Sequence, residues 1–175
     1  MEARPYDKSM LFMGVLSTRG FPSSLEKKLE SLYGPILLRT EPFPFDFTDY
    51  YISEMGEGIA RFFIAFSALI APDSLADVKT VTDEIEKEYS EDGKRKINLD
   101  PGLLTEANII LATTKNRSHR IAIGRNLYGE VTLIYQNHRY NALPWTYADY
   151  RSEKVQEMLI SFRKEYLKAR KTDQN

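Results

Sequence analysis

The chain has 175 residues, and its 24 basic against 25 acidic side chains give a formal net charge of -1. Its size predicts a single domain over residues 1–175, and its content of 42% hydrophobic and 28% charged residues excludes wholesale disorder and collagen-like composition. Because cysteine is absent, disulfides, zinc–thiolate sites, Fe–S clusters and thiol nucleophiles are excluded as well.

Neither end of the chain nor its apolar runs predict a membrane protein. Residues 1–9 contain both charge signs and a proline, which is not the pattern of a signal peptide. The longest apolar stretch, residues 59–71, contains Arg61 and is too short to cross a bilayer. We therefore expect no contact with a membrane and a cytoplasmic location.

Hydrophobic periodicity and helix-end signals predict six elements in the first hundred residues. The first apolar run is continuous, which is typical of a strand covered on both faces, although a buried helix segment would show the same pattern. Ser23 and Glu26 have the spacing of a capping box and Gly34 supplies a left-handed stop, so a helix is predicted between them. In chain order the elements are a strand at 10–16, a helix at about 24–33, strands at 35–40 and 59–69, a helix at 75–89 and a strand at 94–99.

The order strand, helix, strand, strand, helix, strand predicts the α+β class, with a ferredoxin-like split βαβ core. Asp100–Gly102 has the composition of a turn, and residues 103–114 fit either a helix or a strand. A terminal helix is predicted from Ser152. The core is thus extended by this helix and by antiparallel strands near 120–123, 131–135 and 139–143.

Three common catalytic or nucleotide-binding motifs are absent. Gly93–Lys94 is followed by Arg95 and lacks the earlier glycine of a P-loop. Gly56 and Gly58 have the first spacing of a dinucleotide fingerprint, but Arg61 stands where the third glycine belongs. Both histidines lie outside any H-E-x-x-H pattern, so the zinc hydrolase signature is excluded.

An acidic segment over residues 41–60 contains five carboxylates and no Lys or Arg. Clustered carboxylates are ligands for a hard divalent cation, so Asp46, Asp49 and Glu54 are a candidate Mg²⁺ site. Asp46 and Asp49 are also candidate catalytic carboxylates. The alternative is that Asp46 or Thr48 caps a short helix, with the remaining carboxylates exposed.

A basic stretch over residues 113–120 interleaves cations with small hydroxyl and amide side chains. Such a loop can present several donors to one anion, so Thr114, Lys115 and Arg120 are candidate ligand-binding residues. His119 is a candidate catalytic residue, as is Asp100 at the end of a predicted strand. The alternative interpretation is a polar connection between two strands.

A third candidate group contains the only tryptophan. Trp145 and Tyr147 could stack a base while Arg151 binds a phosphate. The alternative is that these aromatic side chains anchor an irregular segment to the core before the last helix begins.

Eight short segments carry recognisable motifs, namely 41–51, 54–56, 98–102, 111–115, 119–120, 130–135, 143–147 and 149–151. Taken together, they resemble the motifs of an uncharacterised prokaryotic family of about this length, catalogued as a domain of unknown function. Some members of that family are labelled "GTP-binding protein". The resemblance covers nearly the whole chain, implies family membership and provides no established catalytic residues.

Three functions are compatible with these patterns. The first is binding of a phosphorylated small molecule such as a nucleotide, in a cleft where the acidic segment faces the basic stretch. The sequence leaves open whether that ligand is also hydrolysed or transferred. The second is RNA binding, which the overall charge disfavours. The third is a non-catalytic interaction or scaffold protein, for which a homodimer is the first expectation.

Overall fold

One antiparallel sheet of nine strands runs through the computed structural model, which describes residues 4–173. In chain order the strands are β1 (Ser9–Ser17), β2 (Ile36–Arg39), β3 (Phe43–Pro44), β4 (Ala60–Ile70), β5 (Ile97–Leu104), β6 (Asn108–Thr113), β7 (Ile121–Gly124), β8 (Leu127–Gln136) and β9 (Arg139–Ala142). Their order across the sheet is β2-β4-β1-β5-β6-β8-β7, with β3 beside β4 and β9 beside β8. The mixed helix and strand class predicted from the sequence is confirmed.

Helices cover both faces of this sheet. They are α1 (Ser23–Tyr33), α2 (Ile52–Met55), α3 (Leu75–Glu88), α4 (Ala148–Arg151) and α5 (Glu153–Asp173). The apolar sides of α1 and α3 pack on one face, and α5 packs on the other. Because β1 lies between β4 and β5 and is covered on both faces, all nine of its residues are buried. Within residues 4–173, no helix combines the length and apolarity that a membrane span requires.

The strands β5 and β6 pair over only part of their length, through Gly102–Leu104. Earlier in β5, no strand among residues 4–173 pairs with the edge facing β6, and charged side chains of α3 take its place. The N–H of Leu99 donates to the Glu86 carboxylate at 2.6 Å, and its C=O accepts from Lys79 Nζ at 3.1 Å. Two charged groups are therefore buried because they complete the hydrogen bonding of an unpaired strand edge.

Two local predictions differ from the structure, and one open alternative is settled by it. Pro22, not Ser23, is the N-cap of α1, and no side-chain cap hydrogen bond forms. Residues 103–114 form the end of β5 and the whole of β6, which settles the helix-or-strand alternative. The predicted turn at 100–102 is wrong, because these residues lie inside β5. Pro101 is tolerated where β6 does not pair, and a side chain at Gly102 would lie 2.6 Å from the Phe12 ring.

Candidate functional site

A cavity of about 490 Å³ lies where β5 and β6 separate. Its inner part, here called the pocket floor, contains the buried or half-buried side chains Arg61, Asn98, Asp100 and Asp149. Its outer part, the pocket mouth, contains the exposed side chains Tyr50, Thr114, Lys115 and Tyr147. The cavity thus joins the aromatic part of segment 41–60 to the loop that follows β6.

Arg61 is the central charge of the pocket floor. It lies on β4 with 3% of its surface exposed, donates from Nη1 to Asp100 at 3.2 Å, and places Nη2 3.0 Å from Asp149 Oδ2. The neighbouring strand gives it room at Gly14, where a Cβ would lie only 2.7 Å from the guanidinium. One buried cation therefore holds two carboxylates that come from distant parts of the chain.

The two carboxylates on Arg61 differ in their pKa values. Desolvation raises the pKa of Asp149 above its usual value, and the attraction of Arg61 only partly opposes this. For Asp100, desolvation also acts to raise the pKa, but the charges of Arg61 and Lys79 outweigh it and leave the pKa lowered. The side chain of Asp100 is 31% exposed, whereas that of Asp149 is 7% exposed. Asp100 is therefore the more exposed of the two carboxylates, and the one whose ionised form its surroundings favour more.

A second arginine, Arg95, lies beside the floor and links three side chains there. It binds Glu54 through two hydrogen bonds of 2.7 and 2.6 Å, and it reaches Glu86 at 3.0 Å. It also donates to Oδ1 of Asn98 at 2.7 Å. Burial raises the pKa of Glu86 from 4.5 to about 7, although Lys79 and the Leu99 N–H act to lower it.

Three polar atoms of the floor and its surroundings have no hydrogen-bond partner among residues 4–173. They are Nδ2 of Asn98, Nε of Arg61 and the hydroxyl of Tyr150. All three belong to residues that line the cavity. Buried polar groups are normally hydrogen-bonded, so these atoms leave part of the hydrogen-bonding capacity of the floor unfilled. The Asn98 amide nevertheless contacts the Asp100 carboxylate and helps to lower its pKa.

The pocket mouth is formed by a contact between Lys115 and Tyr50. The ammonium of Lys115 lies 4.5 Å from the centroid of the Tyr50 ring and 3.4 Å from its hydroxyl. On the other side, the hydroxyl of Tyr147 accepts a hydrogen bond from Arg120 at 3.0 Å. Arg120 also donates to the Lys115 carbonyl at 2.8 Å, so it holds the loop in place.

Behind this loop, Glu130 is buried and joins two of the predicted site residues. Its Oε2 lies 2.8 Å from Nε2 of His119 and accepts from Nε of Arg120 at 2.7 Å. The His119 ring stacks on Trp145, with 4.5 Å between centroids. Trp145 in turn donates from its indole nitrogen to the Val131 carbonyl at 2.8 Å. None of His119, Arg120 and Trp145 lines the cavity.

The structure brings Asp100, Thr114, Lys115 and Tyr147 to one cavity. The segments 41–60 and 113–120 do meet there, but through aromatic and hydroxyl side chains instead of carboxylates. Asp46 and Asp49 are exposed and do not line the cavity, and Glu54 is paired with Arg95. Within residues 4–173, no group of three or more His, Asp or Glu side chains is placed to hold a metal ion.

Arg151 lies outside the cavity and binds main-chain oxygens. It donates to the carbonyls of Leu143, Pro144 and Thr146 at 2.6, 3.0 and 2.8 Å. These contacts fix the irregular segment that precedes α4. All three of the contacts are internal to the chain.

Sequence reasoning missed five polar or charged side chains that line the inner part of the cavity. They are Arg61, Asn98 and Asp149 of the floor, and Lys79 and Arg95 beside it. One signal was present: Arg61 is the only charge within the apolar stretch 59–71. A charged residue in a strand that is otherwise apolar requires a buried partner, which the pattern alone does not identify. Its partner Asp149 is 88 positions away.

Comparisons with known proteins connect the chain to one family. Searches of curated proteins and of solved structures give no significant match. A family model described as a domain of unknown function (DUF4416) matches residues 7–166, and therefore nearly the whole chain. The chain belongs to this DUF4416 family.

Proposed function

We propose that the pocket binds a phosphorylated small molecule that carries a planar ring, such as a nucleotide. Its volume lies within the range of ordinary ligand sites, and its walls combine aromatic side chains with a few polar groups. GTP belongs to this class of ligand. Some members of the family that the chain resembles are labelled "GTP-binding protein".

The observation that supports this function most is the state of Lys115. It is exposed at the pocket mouth, and no carboxylate among residues 4–173 forms an ion pair with it. The Thr114 side chain lines the same cavity. An ammonium that no carboxylate neutralises, in a cavity that also presents a hydroxyl, is suited to an anionic group such as phosphate.

The floor provides the polar groups for the rest of the ligand. Arg61 is neutralised by Asp100 and Asp149, so it is less available to a phosphate than Lys115 is. The cavity wall also includes Phe45, Phe47 and other aromatic side chains, which favour a flat apolar ring. The ligand therefore lies with its anionic group outward and its ring inward.

Magnesium would enter this site only on the phosphate oxygens of the ligand, because the carboxylates that line the cavity, Asp100 and Asp149, lie at the floor and are paired with Arg61. In nucleotide sites Mg²⁺ is held by one or two carboxylates together with phosphate oxygens. Titrating the ligand with and without Mg²⁺, and then with a chelator, tests whether the affinity depends on the ion.

RNA binding is less well supported, because three of the six Lys and Arg side chains between residues 115 and 151 are used internally. Arg120 is paired with Glu130, and Arg125 is paired with Asp77 at 2.8 Å. Arg151 binds carbonyl oxygens. Of the six, Lys115, Arg117 and Arg139 are left for a phosphate-binding surface.

For the fold, we propose a ferredoxin-like core in the first hundred residues. The strand order β2-β4-β1-β5 and the antiparallel pairing of β1 with β4 and β5 support it. An experimental structure that places β1 elsewhere than between β4 and β5 would contradict this assignment.

The test is a calorimetric titration with nucleoside monophosphates and triphosphates, combined with thermal unfolding. A ligand at one hundred times its Kd should stabilise the protein by about 2.7 kcal/mol. We expect Lys115→Ala to abolish most of this stabilisation while leaving the free protein folded.

The matched control is Lys154→Ala. Its ammonium also lies over an aromatic ring, 4.2 Å from the Phe43 centroid, but it does not line the cavity. It should bind every ligand as the wild type does. Equal binding by wild type and Lys115→Ala would rule out the proposed anion contact.

A further inference from the structure

Asn98 offers a weakly engaged hydrogen-bond donor at the pocket floor. It is 3% exposed, and its Oδ1 accepts a hydrogen bond from Arg95 Nη1 at 2.7 Å. Because a guanidinium can only donate, this contact fixes the carbonyl end of the amide toward Arg95. The other end, Nδ2, lies toward the Asp100 carboxylate and helps to lower its pKa, but it forms no close hydrogen bond among residues 4–173. A buried amide donor that is only weakly engaged favours a ligand atom that accepts a hydrogen bond.

Asp100 offers the complementary group two residues further along β5. Positions two apart in a strand lie on the same face, and both side chains line the cavity. Arg61 reaches the carboxylate from one side, and 31% of the side chain remains exposed. An ionised carboxylate only accepts hydrogen bonds, so it favours a ligand N–H or O–H.

We infer that Asn98 and Asp100 together recognise the hydrogen-bonding edge of a planar heterocycle, such as a nucleobase. This inference rests on the proposed function and makes it more specific, because it assigns the inner half of the ligand. Nucleobases carry a donor and an acceptor side by side on one edge. Here the donor binds Asp100 and the acceptor binds the amino end of Asn98.

The aromatic wall distinguishes this ligand from a simple sugar phosphate. Phe45, Phe47 and Tyr147 line the same cavity as the floor residues and Lys115. A nucleotide covers these rings with its base, whereas a sugar phosphate held at Lys115 leaves them in contact with water. The inferred ligand therefore has both a phosphate for the mouth and a base for the floor.

Two substitutions of nearly unchanged shape test the inference. Asp100→Asn replaces part of the acceptor with a donor, and Asn98→Asp replaces the weakly engaged donor with an acceptor while keeping an oxygen for Arg95. Each variant is titrated with the four common nucleoside 5′-monophosphates, the corresponding nucleosides and ribose 5-phosphate. Thermal unfolding without ligand identifies a variant that is too unstable to interpret, in which case the other variant decides.

We expect wild type to bind at least one nucleoside monophosphate about tenfold or more tightly than ribose 5-phosphate. Each variant should lose that preference and keep the Kd for ribose 5-phosphate within about twofold. Ribose 5-phosphate binding to wild type as tightly as every nucleotide would overturn the inference but leave the phosphate site intact. If nucleosides bind as tightly as the corresponding nucleoside 5′-monophosphates, the proposed phosphate contact is wrong and the proposed function is overturned. If none of these compounds binds, both the proposed function and this inference are overturned.

Discussion

The floor and the mouth of the pocket both contain cations, but they differ in what neutralises them. Arg61 is 3% exposed and lies between two carboxylates. Lys115 is exposed, and its partner is the ring of Tyr50. A buried charge needs its partner for the protein to fold, whereas an exposed one costs little when it is alone. The floor should therefore determine stability and pocket shape, and the mouth should determine affinity for an anion.

The largest expected effect is that of Arg61→Leu. It leaves Asp149 buried without a cation and removes one of the charges that hold Asp100 ionised. Losing one partner of a buried ion pair costs about 3–5 kcal/mol. Chemical denaturation should show this loss, and the exposed ion pair of Arg125 with Asp77 provides a control in Arg125→Leu. A loss no larger than that of the control would mean that the floor charges are not structurally coupled.

The second effect concerns Glu86 and depends on pH. Since burial raises its pKa to about 7 in the folded protein, the folded state binds a proton that the unfolded state releases from about pH 4.5 upward. Its contribution to stability therefore falls as the pH rises from about 4.5 to about 7. The shift corresponds to up to about 3 kcal/mol, at about 1.4 kcal/mol per pKa unit.

Glu86→Gln replaces the titrating carboxyl with a neutral amide. The free energy of unfolding of this variant should therefore rise relative to that of wild type as the pH increases from 5 to 8. Its amide oxygen can still accept from the Leu99 N–H. Unfolding free energies measured at several pH values give the difference directly. Glu84→Gln, an exposed site on the same helix, is the control and should follow wild type. A difference between Glu86→Gln and wild type that does not vary with pH would contradict the predicted burial effect.

A smaller effect is expected for Gly14→Ala, which fills the space beside Arg61. The added Cβ would lie 2.7 Å from Nη2 and 2.8 Å from Cζ, and the guanidinium is held in place by Asp100 and Asp149. Overpacking of this kind costs about 1–3 kcal/mol. In an Arg61→Leu background the same substitution should cost less, which a double-mutant cycle measures. Additive losses would show that Gly14 and Arg61 do not interact.

Local patterns predicted the elements that meet the floor, because these elements are defined by neighbouring residues. The continuous apolar run at 10–16 became the buried strand β1, and the helix predicted over about 24–33 became α1. The loop containing Lys115 was singled out from its composition, and Lys115 does line the cavity. Each of these features depends on residues within one element or one connection.

The ion pairs of the floor could not be predicted in the same way. Arg61 meets Asp100 and Asp149 only because β4 and β5 both lie beside β1 and α4 brings Asp149 to the same guanidinium. The carboxylates of Asp46 and Asp49 were conspicuous because they are near each other in sequence, yet they are exposed outside the cavity. Charge clustering along the chain predicts a solvated segment better than it predicts a binding site.

The smallest expected effect on stability is that of Lys115→Ala, and it completes the contrast between floor and mouth. Only a contact with an exposed tyrosine ring is lost, which contributes about 0.5–1 kcal/mol at most. Denaturation without ligand should therefore give nearly the same midpoint for Lys115→Ala, Lys154→Ala and wild type. A loss as large as that of Arg61→Leu would make Lys115 a structural residue. A stable Lys115→Ala protein that no longer binds phosphate would instead show that Lys115 contributes to ligand affinity and not to stability, which the charges of the floor determine.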